Sequence, residues 1–350
     1  MSAHRFSVRA LDLGYGHVKF TDGRSDDGAV RCDSFPSQSP AAMENTLDGA
    51  VVQRRDTHIV RVGNHLYEVG RAVALASGAN HESEVLDQDF ALGDPYAARL
   101  YGALSYMAGG LPAHTLDFLV LGLPLTTFHT HSEAVSKKFS GDLLINANGD
   151  RLIVRECCVY PQPLGAYMAF MTEQPVESRT RAPMALVVDP GYNTVDWFVV
   201  QGMSASESRS NATLRGVSAV LRAIAQKITK SVRGATVTEV VRRLDESLTT
   251  GLPFTMYGKP IDLDKFMPAG TVVIEEAVQA IKNSVGSGVD IDVIVLAGGG
   301  AKLYAKALAA KFPQHKLVTL ENPAFANVRG FQYIGERLAA SAARAAGNAA

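Results

Sequence analysis

Two short stretches of this chain place a carboxylate at the end of an apolar run, just before a glycine-bearing turn. In the first, Asp12 precedes Gly14, Tyr15, Gly16, His17, Val18, Lys19 and Phe20. In the second, Asp189 precedes Pro190, Gly191, Tyr192, Asn193, Thr194, Val195, Asp196 and Trp197. Each reads as a hairpin with an acidic residue at its mouth. A carboxylate ending a buried strand is costly unless something pairs with it. A hydrated divalent cation carrying a nucleotide phosphate would do so, and the turn amides could hold phosphate oxygens. Overlaid, the two stretches share Asp-x-Gly-Tyr-x-x-Val-x-aromatic. Two such hairpins facing each other would grip a polyphosphate and its metal from both sides. Lys19, opposite Asp196 in the repeat, could turn its ammonium toward a phosphate.

A third stretch, the apolar run 293–296 followed by Ala297, Gly298, Gly299 and Gly300, puts bare backbone at the start of a helix. Glycine lets a flat group come close, so these three are expected to take the nucleoside end of a nucleotide. Other nucleotide signatures are missing. There is no G-x-x-x-x-G-K-[ST] loop, and Gly14-x-Gly16 lacks the third glycine of the dinucleotide fingerprint. The pairs His129 and His131, Asp262 and Asp264, and Asp290 and Asp292 are metal-like in spacing. None has a third ligand nearby, and all are read as surface polar residues.

The elements that must carry these residues follow from pattern. Strands are expected over 6–13, 18–21, 30–35, 58–62, 65–69 and 117–123, with a hairpin of 143–146 and 152–159 across Asn148-Gly149. Asp94-Pro95 reads as the N-cap and first turn of a helix with Ala97, Leu100, Tyr101, Leu104 and Ala108 on one face, stopped by Gly109-Gly110. Further helices are expected over 164–171, over 213–231, and from a Thr236-x-x-Glu239 capping box. One more carries Ile274, Val278, Ile281 and Val285, one starts at Ala301, and the last covers 328 to about 340 before an alanine-rich tail that should fray. Loops are expected over 41–49 and 173–183. Strands then helices, twice, imply a duplicated α/β domain.

Bulk properties narrow the classes. The 350 residues suit two domains. They are 47% hydrophobic and 20% charged with a net charge of −1, so no global field recruits nucleic acid or an anionic membrane. Three cysteines, two of them adjacent at 157 and 158, form no disulfide or zinc pattern and read as free thiols of a reducing compartment. No apolar run is long enough to span a bilayer. A soluble, cytoplasmic protein is expected, with no direct nucleic-acid or membrane partner.

The order Asp-x-Gly near the start, Pro161-Gln162 before a helix, Asp189-x-Gly191-x-x-Thr194-x-Asp196 in the middle and Gly298-Gly299-Gly300 near the end resembles the actin, sugar kinase and heat-shock ATPase superfamily. Within it the chain resembles bacterial actin-like plasmid segregation proteins of the ParM/StbA kind, including the PRTRC-system protein D type. Phe35-Pro36-Ser37 and the run from Asn322-Pro323 to Gly330-Phe331 add to the likeness. The resemblance implies an α/β actin-like ATPase fold, with two ribonuclease-H-like domains flanking a cleft for ATP (or GTP) and Mg2+. Domain I would cover 1–162, with a C-terminal helix of about 326–342 packing back on it, and domain II 163–325. Asp12 and Asp189 would organise the metal through water. Lys19, Gly14, Tyr15, Gly16 and His17, with Gly191, Tyr192, Asn193 and Thr194, would hold phosphates. Gln162 would sit where the family orients the attacking water. Segregation proteins with glutamate at this Pro-Glu position differ here, and a glutamine amide takes no proton at neutral pH, so hydrolysis should be slow and stimulated by assembly. Pro190 departs from the more usual Asp-Leu-Gly or Asp-Ile-Gly turn and removes one amide. The partners implied are further copies of the chain in a filament and a DNA-bound adaptor, for plasmid or mobile-element segregation. A small-molecule kinase or a non-polymerising nucleotide-binding regulator are the alternatives on the same fold.

Overall fold

A computed structural model describes residues 6–42, 55–76, 89–174 and 182–348. The chain divides by its internal packing into two units. Ala182–Ala324 form the second; the described residues before them, with those from Phe325 onward, form the first.

The first unit begins with β1 (Val8–Leu13), β2 (His17–Arg24) and β3 (Val30–Pro36), then a separate hairpin of β4 (His58–Val62) and β5 (His65–Val69). It continues through α1 (Asp94–Ala108), β6 (Thr115–Leu123), α2 (Leu125–Lys138), β7 (Gly141–Leu144), β8 (Arg151–Pro161) and α3 (Gln162–Glu173). Its main sheet has the order β3-β2-β1-β6-β8-β7. β1 is antiparallel to β2 and parallel to β6, which is parallel to β8. All six residues of β1 are buried, as expected of a central strand covered on both faces. Leu11 and Leu13 belong to the core that also holds Leu100, Leu104 and Met107 of α1.

The second unit holds β9 (Met184–Pro190), β10 (Val195–Gln201), β11 (Ser204–Ala205), β12 (Asn211–Thr213), α4 (Val217–Ser231) and α5 (Val237–Thr250). Then come the small hairpin of β13 (Thr255–Met256) and β14 (Lys259–Pro260), α6 (Met267–Val285), β15 (Val293–Leu296), α7 (Ala301–Lys311) and β16 (Lys316–Thr319). Its sheet runs β11-β10-β9-β15-β16, with β12 also on β10. β9 is antiparallel to β10 and parallel to β15, and β15 is parallel to β16. The succession of the first sheet, a hairpin beside two parallel strands, is thus repeated. The capping box at Thr236 and Glu239 is present.

The last helix, α8 (Ala326–Asn348), belongs to the first unit and covers the other face of its sheet. Val8 and Phe118 pack with Ala339 there, and a Cβ on Gly335 would lie 2.5 Å from Val8. α3 lies against α8 at two glycines: a Cβ on Gly330 would fall 1.7 Å from the Gly165 carbonyl oxygen, and one on Gly165 2.5 Å from that of Asn327. Asn327 also accepts, through Oδ1, the Ala166 amide at 3.1 Å. This packing keeps α3 in the first unit, whereas the sequence division between 162 and 163 falls just after its first residue.

Several boundaries differ from expectation. Asp94 is the first helical residue of α1, and Gly93 is the N-cap, with no side-chain capping bond. α4 starts at Val217, because 211–213 pair with β10 as a third strand. α8 continues to Asn348 instead of fraying near 340, consistent with the helix propensity of its alanines. α2 and β16 were not expected at all. His131 lies buried on α2, its Nε2 3.3 Å from Asp89 Oδ1, so it is not the surface residue its spacing implied. Of the metal-like aspartates, Asp290 pairs with Arg209 at 2.6 Å and Asp292 accepts the Met184 amide at 2.8 Å. Most of the expected loops over 41–49 and 173–183 lies outside the described residues.

Candidate functional site

Each unit carries one of the two acidic hairpins, and the hairpins are built alike. The Gly14 amide donates to the His17 carbonyl at 3.1 Å, and the Gly191 amide to the Thr194 carbonyl at 2.8 Å. A Cβ would stand 3.1 Å from the His17 oxygen at Gly14 and 3.3 Å from the Thr194 oxygen at Gly191. Glycine therefore serves the same purpose twice: it lets the chain turn back tightly on its own carbonyl. The repeat extends to register, since Asp12 faces Lys19 across β1 and β2, and Asp189 faces Asp196 across β9 and β10.

In the first unit, Asp12 is 2% exposed. Two groups answer its charge. The Lys19 ammonium is 3.8 Å from one carboxylate oxygen, and the Gln162 side-chain amide donates to the other at 2.7 Å. Gln162 opens α3 at the end of β8, two strands away from β1, and must cross β6 to reach Asp12. It crosses at Gly122, which pairs with Asp12 on one side and with Tyr160 on the other. A Cβ there would lie 3.0 Å from Gln162 Cγ and 2.5 Å from the Phe331 ring. Gly122 is a site residue that sequence reading missed. Its one signal is a glycine inside an otherwise apolar buried run, which marks a close approach.

His17 opens β2 directly after the turn. Burial, with Lys19 nearby adding repulsion, lowers its pKa to about 4. The imidazole is therefore neutral at pH 7 and carries no charge of its own. The Gly16 carbonyl accepts the Ser37 amide at 2.9 Å, which ties the turn to the chain after β3. The Gly16 amide, like that of Asn193 in the second turn, makes no hydrogen bond among the described residues, and such amides in a turn are the donors an anion would use.

In the second unit, Asp189 and Asp196 are 8% and 4% exposed. Thr194 donates its hydroxyl to Asp196 at 2.6 Å. The carbonyls of Gly191, Tyr192 and Asn193 accept the amides of Val217, Ser218 and Gly216 at 3.0, 2.7 and 3.1 Å. The first turn of α4 is thus satisfied by the hairpin, a use of orphan helix amides that also fixes the turn. Gly216 is forced at this contact, because its Cβ would lie 2.6 Å from Asn193.

The Gly298–Gly300 turn belongs to the same half. The Gly300 amide donates to the Pro190 carbonyl at 2.8 Å, and the Gly298 amide to that of Pro323 at 2.8 Å. Gly298 has φ +78, and its Cβ would stand 2.1 Å from an Asp189 carboxylate oxygen. A side chain there would displace the carboxylate. Gly299, by contrast, is exposed with nothing within 4 Å of a Cβ, so it presents bare backbone to whatever approaches. The structure therefore assembles Asp12, Gly14, Tyr15, Gly16, His17, Lys19 and Gln162 in the first unit. It assembles Asp189, Gly191, Tyr192, Asn193, Thr194 and Gly298, Gly299 and Gly300 in the second.

Comparison with known families places both halves. Residues 10–165 match the N-terminal domain of actin-like proteins, and residues 187–310 match the C-terminal domain of the archaeal MreB-like actin homologues. The chain belongs to the actin-like proteins. It has the actin-like ATPase fold. Among solved structures it is similar to a 15-stranded ParM filament from Clostridium botulinum, with 20% identity and a TM-score of 0.74 over 95% of this chain and 100% of that one. It is similar to the archaeal actin homologue Ta0583 in complex with ADP, with 21% identity and a TM-score of 0.71 over 95% and 100%. The apo ParM of pSK41 aligns at 20% identity and a TM-score of 0.67 over 96% and 98%. No curated protein matches this actin-like chain by sequence. Among the described residues no helix is long and apolar enough to cross a membrane.

Proposed function

We propose that this actin-like protein binds one Mg–ATP, or Mg–GTP, through both acidic turns, assembles with further copies of itself into filaments and hydrolyses the nucleotide slowly, faster once assembled. Plasmid or mobile-element DNA segregation through a DNA-bound adaptor is the role this reading gives it. The observation that carries the reading is the hydrogen bond of Gln162 to Asp12, reached across Gly122, beside a turn that recurs with the same closure in the second unit. A nucleotide-bound relative and a filament of another relative have the same fold.

The residues fit a magnesium ion that arrives with its nucleotide. Among the described residues no three His, Cys, Asp or Glu side chains gather into a direct metal cage. Magnesium keeps much of its water and is commonly held by one or two carboxylates and substrate phosphates, which suits Asp12 and Asp189. When bound, the ion neutralises phosphate charge. The protein supplies the rest. Lys19, the Gly16 and Asn193 amides and the neutral His17 meet phosphate oxygens. Gln162 donates one amide hydrogen to Asp12, and its carbonyl oxygen remains to accept a hydrogen bond from water. It takes no proton, so it orients water and leaves the charge to electrostatics.

Light scattering and sedimentation of the purified chain, with and without Mg–ATP, test the reading. ATP is expected to raise scattering at micromolar protein and ADP to lower it. An ATP complex that stays monomeric at every concentration would refute assembly.

A further inference from the structure

The two acidic turns share a pattern and a closure, yet each is held to its own unit by different means. In the second, three amides at the start of α4 donate to the carbonyls of Gly191, Tyr192 and Asn193. In the first, the Ser37 amide donates to the Gly16 carbonyl, and an aromatic ring takes part as well. The Tyr15 ring stacks on Phe90, with 6.3 Å between centroids and 21° between planes. Tyr15 stands between Gly14 and Gly16. Glycine backbone is permissive, so the Tyr15 side chain is the handle by which this turn can be fixed from outside.

Phe90 is itself firmly seated. It opens a single helical turn, Phe90–Leu92, that leads into α1. The Tyr96 ring of α1 stands nearly perpendicular to it, at 5.5 Å between centroids, and the buried Arg99 guanidinium lies over it at 5.1 Å. The same turn is tied to α2: Lys138 donates to the Leu92 carbonyl at 2.8 Å, and His131 Nε2 lies 3.3 Å from the Asp89 carboxylate. Leu11 and Leu13 share the core of α1, so Asp12, between them on the pleat, points to the other face of the sheet. Phe90 therefore acts on the backbone of the turn and not on the carboxylate.

We infer that Phe90 is a positioning residue for the first turn: stacked on Tyr15, it holds the backbone in the shape that presents the Gly16 amide, and so sets the affinity for nucleotide. The hold on the turn stands by itself, while its effect on affinity rests on the nucleotide reading above. An aromatic pair of this kind is worth up to about tenfold in an equilibrium constant beyond the area it buries.

Phe90→Leu tests both, since it keeps an apolar side chain and removes the ring. Without nucleotide, residue-resolved hydrogen exchange compares the Gly14 amide with its counterpart, the Gly191 amide of the second turn. The variant should exchange at Gly14 about tenfold faster, with Gly191 within about twofold of wild type. Unchanged exchange at Gly14, or an equal gain at both amides, would overturn the hold on the turn. Phe90→Tyr, which restores a ring, should behave as wild type; a chain that exchanges like Phe90→Leu would count equally against the stack. With Mg–ATP, Phe90→Leu should weaken binding about fivefold, and the double variant with Tyr15→Leu should bind no more weakly than Tyr15→Leu alone. Wild-type affinity in Phe90→Leu, or losses that multiply in the double variant, would overturn its part in binding. A wild type that binds no Mg–ATP would defeat the functional reading, while the exchange rates would still decide whether Phe90 holds the turn.

Discussion

Gln162→Glu replaces the amide that donates to Asp12 with a second carboxyl, and the contact distance of 2.7 Å sets the cost. Two full charges that close repel by about 6 kcal/mol at an effective dielectric of about 20. Lys19, 3.8 Å from the same carboxylate, offsets part. Even half of the repulsion, about 3 kcal/mol, corresponds to two pKa units. The introduced carboxyl should keep its proton into the range of pH 6 or above, roughly two units over its unfolded value near 4.3. A group whose pKa is raised on folding contributes stability that is fully present below the unfolded value and lost as pH rises through the folded one. Urea unfolding without nucleotide, at pH 5 and pH 8, reads this directly. The variant should lose about 2 kcal/mol more than wild type between the two, because part of the linkage is already spent by pH 5. A variant whose profile runs parallel to wild type would show that Gln162 and Asp12 are not in contact, and the assignment of Gln162 would fall with it.

Two further outcomes test the scaffold and the turn. Gly330→Ala places a methyl group 1.7 Å from the Gly165 carbonyl oxygen, so α3 and α8 must separate; overpacking of this kind costs about 3 kcal/mol, and a thermal midpoint within a degree of wild type would contradict the packing. His17 has a pKa lowered from 6.5 to about 4, so wild-type stability should be intact above pH 6.5 and lost as pH falls toward 4, by at most about 3 kcal/mol. His17→Gln should flatten that part of the profile, and an equal acid loss in the variant would place its cause elsewhere.

What the sequence disclosed and what it hid have physical reasons. The two hairpins were legible because their constraint is local: a glycine at a turn, β-branched neighbours and an acid at a strand end recur within ten residues. α2 was hidden because only His131 and Val135 of its fourteen residues are buried, which leaves no apolar stripe to read. β16 is four residues long and half exposed, too short for alternation to register. The start of α4 was misplaced because Gly216 is fixed by carbonyls of the turn over twenty residues earlier, a contact that exists only once the hairpin has folded. The packing roles of Gly122 and Gly330 were hidden for the same reason. Each glycine is dictated by a neighbour distant in the chain, Gln162 in one case and Gly165 in the other.

The central claim is that two copies of one acidic turn serve a single nucleotide. Calorimetric titration of Mg–ATP into the wild type, Asp12→Asn and Asp189→Asn tests it most directly. The account predicts one site per chain, with binding weakened at least a hundredfold by either substitution alone. Two independent sites per chain, or wild-type affinity in either variant, would contradict it.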